Sequence, residues 1–331
     1  MNPTTIADVF PDLGTLITSV ASQTLAPTKV SPTLADLMPV AGRANLRSKS
    51  GTPKSAKVES VETTDALVGE EKYPRPNGHD YYSRKWGDHS DIEVLRNARM
   101  AKQYVLLYGS PGCGKTALVE GAFPEELETI IGSGDTELSD FIGGYVQTPS
   151  GGFEWIDGAL VRAVEQGKVL LIDEVGLIDP KVLSAVYGLM DGRDELTITQ
   201  NPERGTIKAK EGFYVVGATN PNAVGVRLSE ALLSRFTIQV EMTTDWALAK
   251  KLGVPAPAIT ASQNLSKKQA SNEISWSPQF RELLAFREIA KQFGTRWAVS
   301  NLIAAAPEMD RAVVADVFTR VFGEEVRPAK I

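Results

Sequence analysis

The chain is poor in cysteine and in long apolar runs, and each shortage excludes something. Cys113 is the one cysteine among 331 residues, so no internal disulfide can form and a reducing compartment is expected. No run reaches the roughly eighteen apolar residues of a membrane span. The first residues also lack a basic region followed by a long apolar core. Positive charge is not in excess: 35 Lys and Arg against 41 Asp and Glu give a net charge of −6, which offers nucleic acid no global field. A soluble, cytoplasmic protein without a membrane partner is expected. What the chain does have is 42% hydrophobic and 23% charged residues, ordinary for a globular protein and enough for two compact units plus a tail.

The rest is organised around Gly109-Ser110-Pro111-Gly112-Cys113-Gly114-Lys115-Thr116, set directly behind the apolar run Tyr104 to Tyr108. It fits G-x-x-x-x-G-K-[ST] throughout and lies between a short buried strand and a helix starting near Lys115. Glycines let the backbone turn so that successive N–H groups converge on phosphate oxygens at a helix N-terminus. Lys115 then reaches the β- and γ-phosphates and the Thr116 hydroxyl binds Mg²⁺. A glycine-rich turn without a ligand is the alternative, and strand, loop and helix together argue against it. A nucleoside triphosphate site is predicted, with Cys113 as a small filler in the loop.

Residues 1–75 are rich in Pro, Ser, Thr and Ala, with short amphipathic clusters at Val9 to Ile17 and Leu34 to Met38. Arg43, Arg47, Lys49, Lys54 and Lys57 occur there without an intervening acid. That segment is either a solvated, largely disordered linker or a contact for nucleic acid or a partner. The lead-in Tyr81 to Gly87 either wraps the base of a nucleotide or covers the sheet edge. A short helix follows within Asp88 to Met100, with Ile92, Leu95 and Met100 on its apolar face.

Past the phosphate loop, strands are predicted at Leu127 to Ile131, Val169 to Ile172, Phe213 to Ala218 and Phe236 to Met242, alternating with helices at Ala159 to Gln166, Pro180 to Met190 and Glu230 to Ser234. Asp179-Pro180 and Ser229 are helix-start signals, and Gly167 is a stop. Two hairpins interrupt the alternation, one over Tyr145 to Gly158 and one pairing Leu196 to Thr199 with Thr206 to Ala209. From Thr243 onward the pattern is helical. Leu283, Phe286, Ala290 and Phe293 form one stripe, and Val313, Val314, Val317, Phe318, Val321 and Phe322 another.

The third apolar strand delivers Asp173-Glu174 at its carboxyl end, where open α/β sheets bind ligands. Phosphoryl transfer needs a held metal and a positioned water. Asp173 fits as the carboxylate that holds Mg²⁺ with Thr116, and Glu174 as the group that orients and deprotonates the attacking water. A solvent-facing acidic pair is the alternative. Asn220, at the end of the fourth strand, is placed to hydrogen-bond that water or the γ-phosphate, or else is a turn residue before Pro221.

The order of phosphate loop, Leu-Leu-Ile-Asp-Glu strand, Ala-Thr-Asn-Pro and Leu-Ser-Glu-Ala-Leu-Leu-Ser-Arg-Phe resembles an AAA+ ATPase. The stretch Phe141 to Leu160, with its Gly-Gly-Phe-Glu-Trp-Ile-Asp-Gly core, is similar to the hairpin inserted in the MoxR branch, which includes CbbQ, NorQ and GvpN types and a dynein-related kind of AAA domain. The resemblance covers Tyr81 to Phe322. It implies an α/β fold in which a P-loop AAA+ core with a five-stranded parallel sheet, a helix-two insert hairpin and a pre-sensor hairpin (residues 76–242) precedes a small helical lid (243–331).

By that resemblance Asn220 is the first sensor and Arg235 the arginine finger that reaches a neighbour's nucleotide, with Arg227 as a second candidate. A structural salt bridge remains open for either. Arg281 resembles the second sensor, although Ser277-Pro278-Gln279-Phe280 departs from the family's usual spacing. ATP, Mg²⁺, a hexameric homo-oligomer and a protein client, such as one with a von Willebrand factor A domain, are implied. The hairpins, with Phe153 and Trp155, would face the ring's substrate side or pack on the sheet. A nucleic-acid motor or loader and a nucleotide-gated scaffold with little turnover are the rival expectations.

Overall fold

The structure is a computed structural model that describes residues 71–329. The apolar clusters of the tail and the basic segment Arg43 to Lys57 lie outside the described residues. Strands β1 (Val105–Tyr108), β3 (Val169–Asp173) and β4 (Tyr214–Thr219) are buried over nearly their whole length, while β2 (Leu127–Ile131) and β5 (Ile238–Glu241) are partly exposed. Unbroken apolar strands have no solvent face to offer, so they take the centre of a sheet covered on both sides. The order is β5-β1-β4-β3-β2, with every neighbouring pair parallel. Because β2 lies at the far edge from β1 and two later strands fill the gap, the order reverses beside β1. A crevice therefore opens over the carboxyl ends of β1, β4 and β3, the usual ligand position in such sheets.

Helices α1 (Asp91–Met100), α2 (Lys115–Ala122), α3 (Leu138–Ile142), α4 (Ala159–Gln166), α5 (Pro180–Met190) and α6 (Glu230–Leu233) belong to the same unit. Local chemistry sets their ends. Asp179 accepts from Lys181 N with Pro180 in the first turn, Ser229 accepts from Leu232 N, and Gly167 ends α4 in the left-handed region. On α1, Ile92 and Leu95 are fully buried, whereas Met100, expected on that face, is 78% exposed. Five residues separate Met100 from Leu95, which turns it by about 140° on an α-helix. Ala98 fills the face instead.

Both hairpins form, pairing Gly143–Gln147 with Phe153–Asp157 and Glu195–Thr197 with Thr206–Lys208. The first starts two residues earlier than expected because Gly143 is itself a ladder residue. At φ +114° it passes so close to its partner strand that a Cβ would lie 2.2 Å from Ile156 O.

The carboxyl-terminal part is helical: α7 (Trp246–Lys251), α8 (Ala256–Ala270), α9 (Phe280–Phe293), α10 (Thr295–Ala305) and α11 (Arg311–Phe322). It has its own core around Leu265, Leu283, Phe286, Ile303, Val314 and Phe318, distinct from the cluster beneath the sheet. The stripe on α11 packs as expected. That on α9 stops early: Phe293, the residue before the turn at Gly294, is 65% exposed.

Candidate nucleotide site

The phosphate loop leaves β1 through Gly109 and enters α2 through Gly114. Gly109, Gly112 and Gly114 have φ of +150°, +82° and +103°, and a Cβ at Gly109 would sit 2.2 Å from Met242 O. Only glycine meets both demands there. Cys113 is fully buried beneath the loop. Lys115 is 6% exposed, and its Nζ donates to the carbonyls of Gly109 at 2.8 Å and Ser110 at 3.2 Å. The ammonium is thereby held inside the curve of the loop.

The acids converge on the same place. Thr116 Oγ1 donates to Asp173 Oδ2 at 2.7 Å, and Asp173 Oδ1 accepts from Glu174 N at 3.0 Å. Glu174 has φ +51°, an uncommon conformation for a side-chain-bearing residue. It lets the chain turn into a short 3₁₀ segment, Val175–Leu177, while both carboxylates still line the cleft. Glu174 Oε2 accepts from Asn220 N at 3.2 Å. Asn220 thus meets the site first through its backbone, and its side-chain oxygen accepts from Asn222 N at 3.3 Å in a local turn. The side chain thus takes the turn position expected before Pro221, while the backbone N–H pairs with Glu174.

The helical part closes the cleft from the other side. Arg281 N donates to Gly112 O at 3.1 Å, tying the first turn of α9 to the phosphate loop. The Arg281 guanidinium lines the cleft beside Glu282, at 3.1 Å. Ser110, Cys113, Asn220, Arg227 and Arg235 do not line it. Arg235 Nη2 pairs with Asp191 at 2.7 Å, Nη1 donates to Ala231 O at 2.6 Å, and the guanidinium lies 4.2 Å from the Tyr187 ring centroid. Arg227 is exposed on the loop after β4.

Sequence reasoning missed Arg84, which reaches the loop from the lead-in. The lead-in itself lines the cleft through Asp80 to Tyr82 and Arg84, and Tyr81 is also buried against α2. The cleft has a volume of about 820 Å³, and Leu248, Leu252 and Leu284 supply an apolar wall.

A loop of backbone donors, a buried lysine and a threonine hydroxyl on a strand-end carboxylate suit a metal-bound polyphosphate. The family model for the AAA domain of the dynein-related subfamily matches residues 104–236. This segment is similar to AAA domains of that subfamily. The domain is similar to midasin from Giardia intestinalis, 34% identical over 174 residues, covering 47% of this chain and 4% of midasin. An uncharacterised protein of Staphylococcus epidermidis is 34% identical over 161 residues, covering 45% of this chain and 60% of its own length. The uncharacterised YojN of Bacillus subtilis is 36% identical over 142 residues, covering 40% and 46%. The chain therefore spans less than two thirds of the length of each of these relatives. A crystal structure of a Cytophaga hutchinsonii protein superposes at a TM-score of 0.38 with 18% identity, covering 72% of this chain and 89% of the other.

Proposed function

We propose that the chain is a Mg²⁺-dependent ATPase of MoxR-like type that works as a homo-oligomer and uses hydrolysis to remodel or activate a protein partner. The observation that carries the ATPase reading is the Thr116–Asp173 hydrogen bond at 2.7 Å beside a Glu174 carboxylate held by Asn220 N. Bound with the nucleotide, Mg²⁺ would neutralise phosphate charge, and Thr116 and Asp173 are the residues to hold it. The donors of the loop, with Lys115, bind the phosphates and stabilise charge on the oxygen that leaves as the γ-phosphoryl group departs. Glu174 takes the proton of the attacking water, and the side-chain nitrogen of Asn220 remains to orient that water. Leu248, Leu252 and Leu284 offer a flat base an apolar seat.

Three features support the finer reading. The hairpin inserted between α3 and α4 exposes Phe153 at 71% and Tyr145 at 56%, leaving apolar side chains for a client, while Trp155 packs against the sheet unit. Arg235 and Arg227 are not part of the lining of their own chain's cleft, as a finger acting on a neighbour requires. The tie between Arg281 N and Gly112 O couples the helical part to the nucleotide site. A von Willebrand factor A domain remains the proposed type of client.

The test is Glu174→Gln, which keeps the side chain's shape and its acceptor for Asn220 N. It should bind ATP as the wild type does and hydrolyse it at least about 100-fold more slowly. Equal turnover would remove Glu174 from its role.

A further inference from the structure

Four arginines line the cleft: Arg75, Arg84, Arg281 and Arg287. Three are already neutralised, Arg75 by Glu120 at 2.6 Å, Arg281 by Glu282 at 3.1 Å and Arg287 by Glu288 at 2.6 Å. Arg84 has no carboxylate within salt-bridge distance among the described residues. Its Nη1 donates to Thr243 O at 3.2 Å, and its guanidinium lies 5.1 Å from the Phe280 ring centroid. Nε is buried with no hydrogen-bond partner. Nη2 rests against the phosphate loop, where a Cβ on Gly114 would come within 2.9 Å of it. A buried N–H without an acceptor is costly, and its presence in a cleft asks for a ligand atom.

The position of Arg84 is built into the lead-in. Asp91, 5% exposed, accepts from the Tyr81 hydroxyl, from Ser83 Oγ at 3.1 Å and from the backbone N–H groups of Arg84 and Ile92 at 3.0 and 2.9 Å. Burial pushes the Tyr81 phenol up, so it stays a donor. Tyr81 in turn fills the space over Gly121, where a Cβ would lie 2.8 Å from its own. One buried carboxylate therefore fixes the backbone from which Arg84 projects onto Gly114.

We propose that Arg84 is a nucleotide-binding residue whose guanidinium contacts the α- and β-phosphates and makes the placement of the helical part depend on that contact. The proposal rests on the nucleotide reading above. A guanidinium can offer a planar pair of N–H groups to phosphate while another edge stays occupied. Nε and Nη2 form such a pair here, with Nη1 kept by Thr243, the residue two before the N-cap of α7, and the flat face kept by Phe280, the first residue of α9. A ligand at Gly114 thus meets a side chain already bound to the starts of two helices of the helical part. Because the contact is to the diphosphate portion, ADP should depend on it as much as ATP does, and AMP less.

The experiment is calorimetric titration of the full chain with Mg-ATP, Mg-ADP and AMP, together with thermal melting, for the wild type, Arg84→Ala and Arg84→Lys. Arg84→Ala should bind ATP and ADP about 10- to 100-fold more weakly. AMP affinity should change by less than about threefold, Arg84→Lys should recover part of the loss, and the ligand-free melting temperature should stay within about 2 °C of the wild type. Unchanged ATP and ADP affinities in Arg84→Ala would overturn the proposal, as would a large ligand-free loss of melting temperature that Arg84→Lys shares. A wild type that binds none of the three nucleotides would instead defeat the nucleotide reading itself, and this proposal with it.

Discussion

Thr116 and Asp173 lie 57 positions apart in the chain and share one proton at 2.7 Å. Replacing Thr116 by Ala leaves Asp173 Oδ2 without its donor and, on the proposed reading, would take a ligand from the metal. ATPase rate at saturating ATP should fall about 100-fold, and the Mg²⁺ concentration for half-maximal rate should rise. Stability without ligand should drop by about 1–2 kcal/mol, the usual cost of a charge-assisted hydrogen bond. A Mg²⁺ titration of turnover beside a denaturant melt checks both, and an unchanged Mg²⁺ requirement would exclude the metal role. These residues were legible because each belongs to a contiguous signature, a glycine-rich loop behind one apolar strand and an acidic pair ending another. Arg84 was not. Its direction depends on the hydrogen bonds that Asp91 accepts seven residues further on, and no local pattern announces such a contact. Asn220 was legible as a position but not as an atom, since the group that holds Glu174 is its backbone N–H.

At the scale of elements, the two hairpins are joined by one side chain. Arg204, in the turn of the second hairpin, pairs at 2.8 Å with both Asp157, which ends the inserted hairpin, and Glu165 on α4. The Glu165 hydrogen bond is the largest influence raising its pKa. At 31% side-chain exposure the cluster is partly screened, so Arg204→Ala should cost only about 1 kcal/mol of stability. Its larger effect is mechanical. Amide exchange across Tyr145 to Gln147 should speed up about tenfold or more, because the inserted hairpin loses its tie to the second. Unchanged exchange would mean that the two hairpins are held independently. The existence of both hairpins was legible from strand alternation around glycine-rich and proline-containing turns, whereas this bridge was not, since it joins residues 47 and 39 positions apart. Periodicity failed where helices end: Met100 and Phe293 continue an apolar run in the sequence but occupy last turns that have left the packed face.

Whether the molecule acts alone or in a ring turns on Arg235. In the single chain its guanidinium meets Asp191, Ala231 O and the face of Tyr187, while Nε is buried without a hydrogen-bond partner, and the residue is not part of the lining of its own cleft. A purely structural arginine would stop there. If it did, Arg235→Ala would lower the melting temperature by several degrees and leave turnover per folded chain unchanged. A finger acting on a neighbour behaves otherwise, because its charge matters only when a second subunit brings a nucleotide to it. Specific ATPase activity of the wild type should then rise with protein concentration in step with assembly, measured by mass on the same samples with and without ATP. Arg235→Ala should assemble to the same mass and hydrolyse about 10³-fold more slowly. Asp191→Asn discriminates further: it weakens the intramolecular hold on the guanidinium, so it should leave assembled turnover at or above the wild-type rate, whereas under a structural role it should mimic Arg235→Ala in stability. A monomer that hydrolyses ATP at one rate per chain across all concentrations would remove the shared site, and the inserted hairpin would then have to be moved by the nucleotide of its own chain.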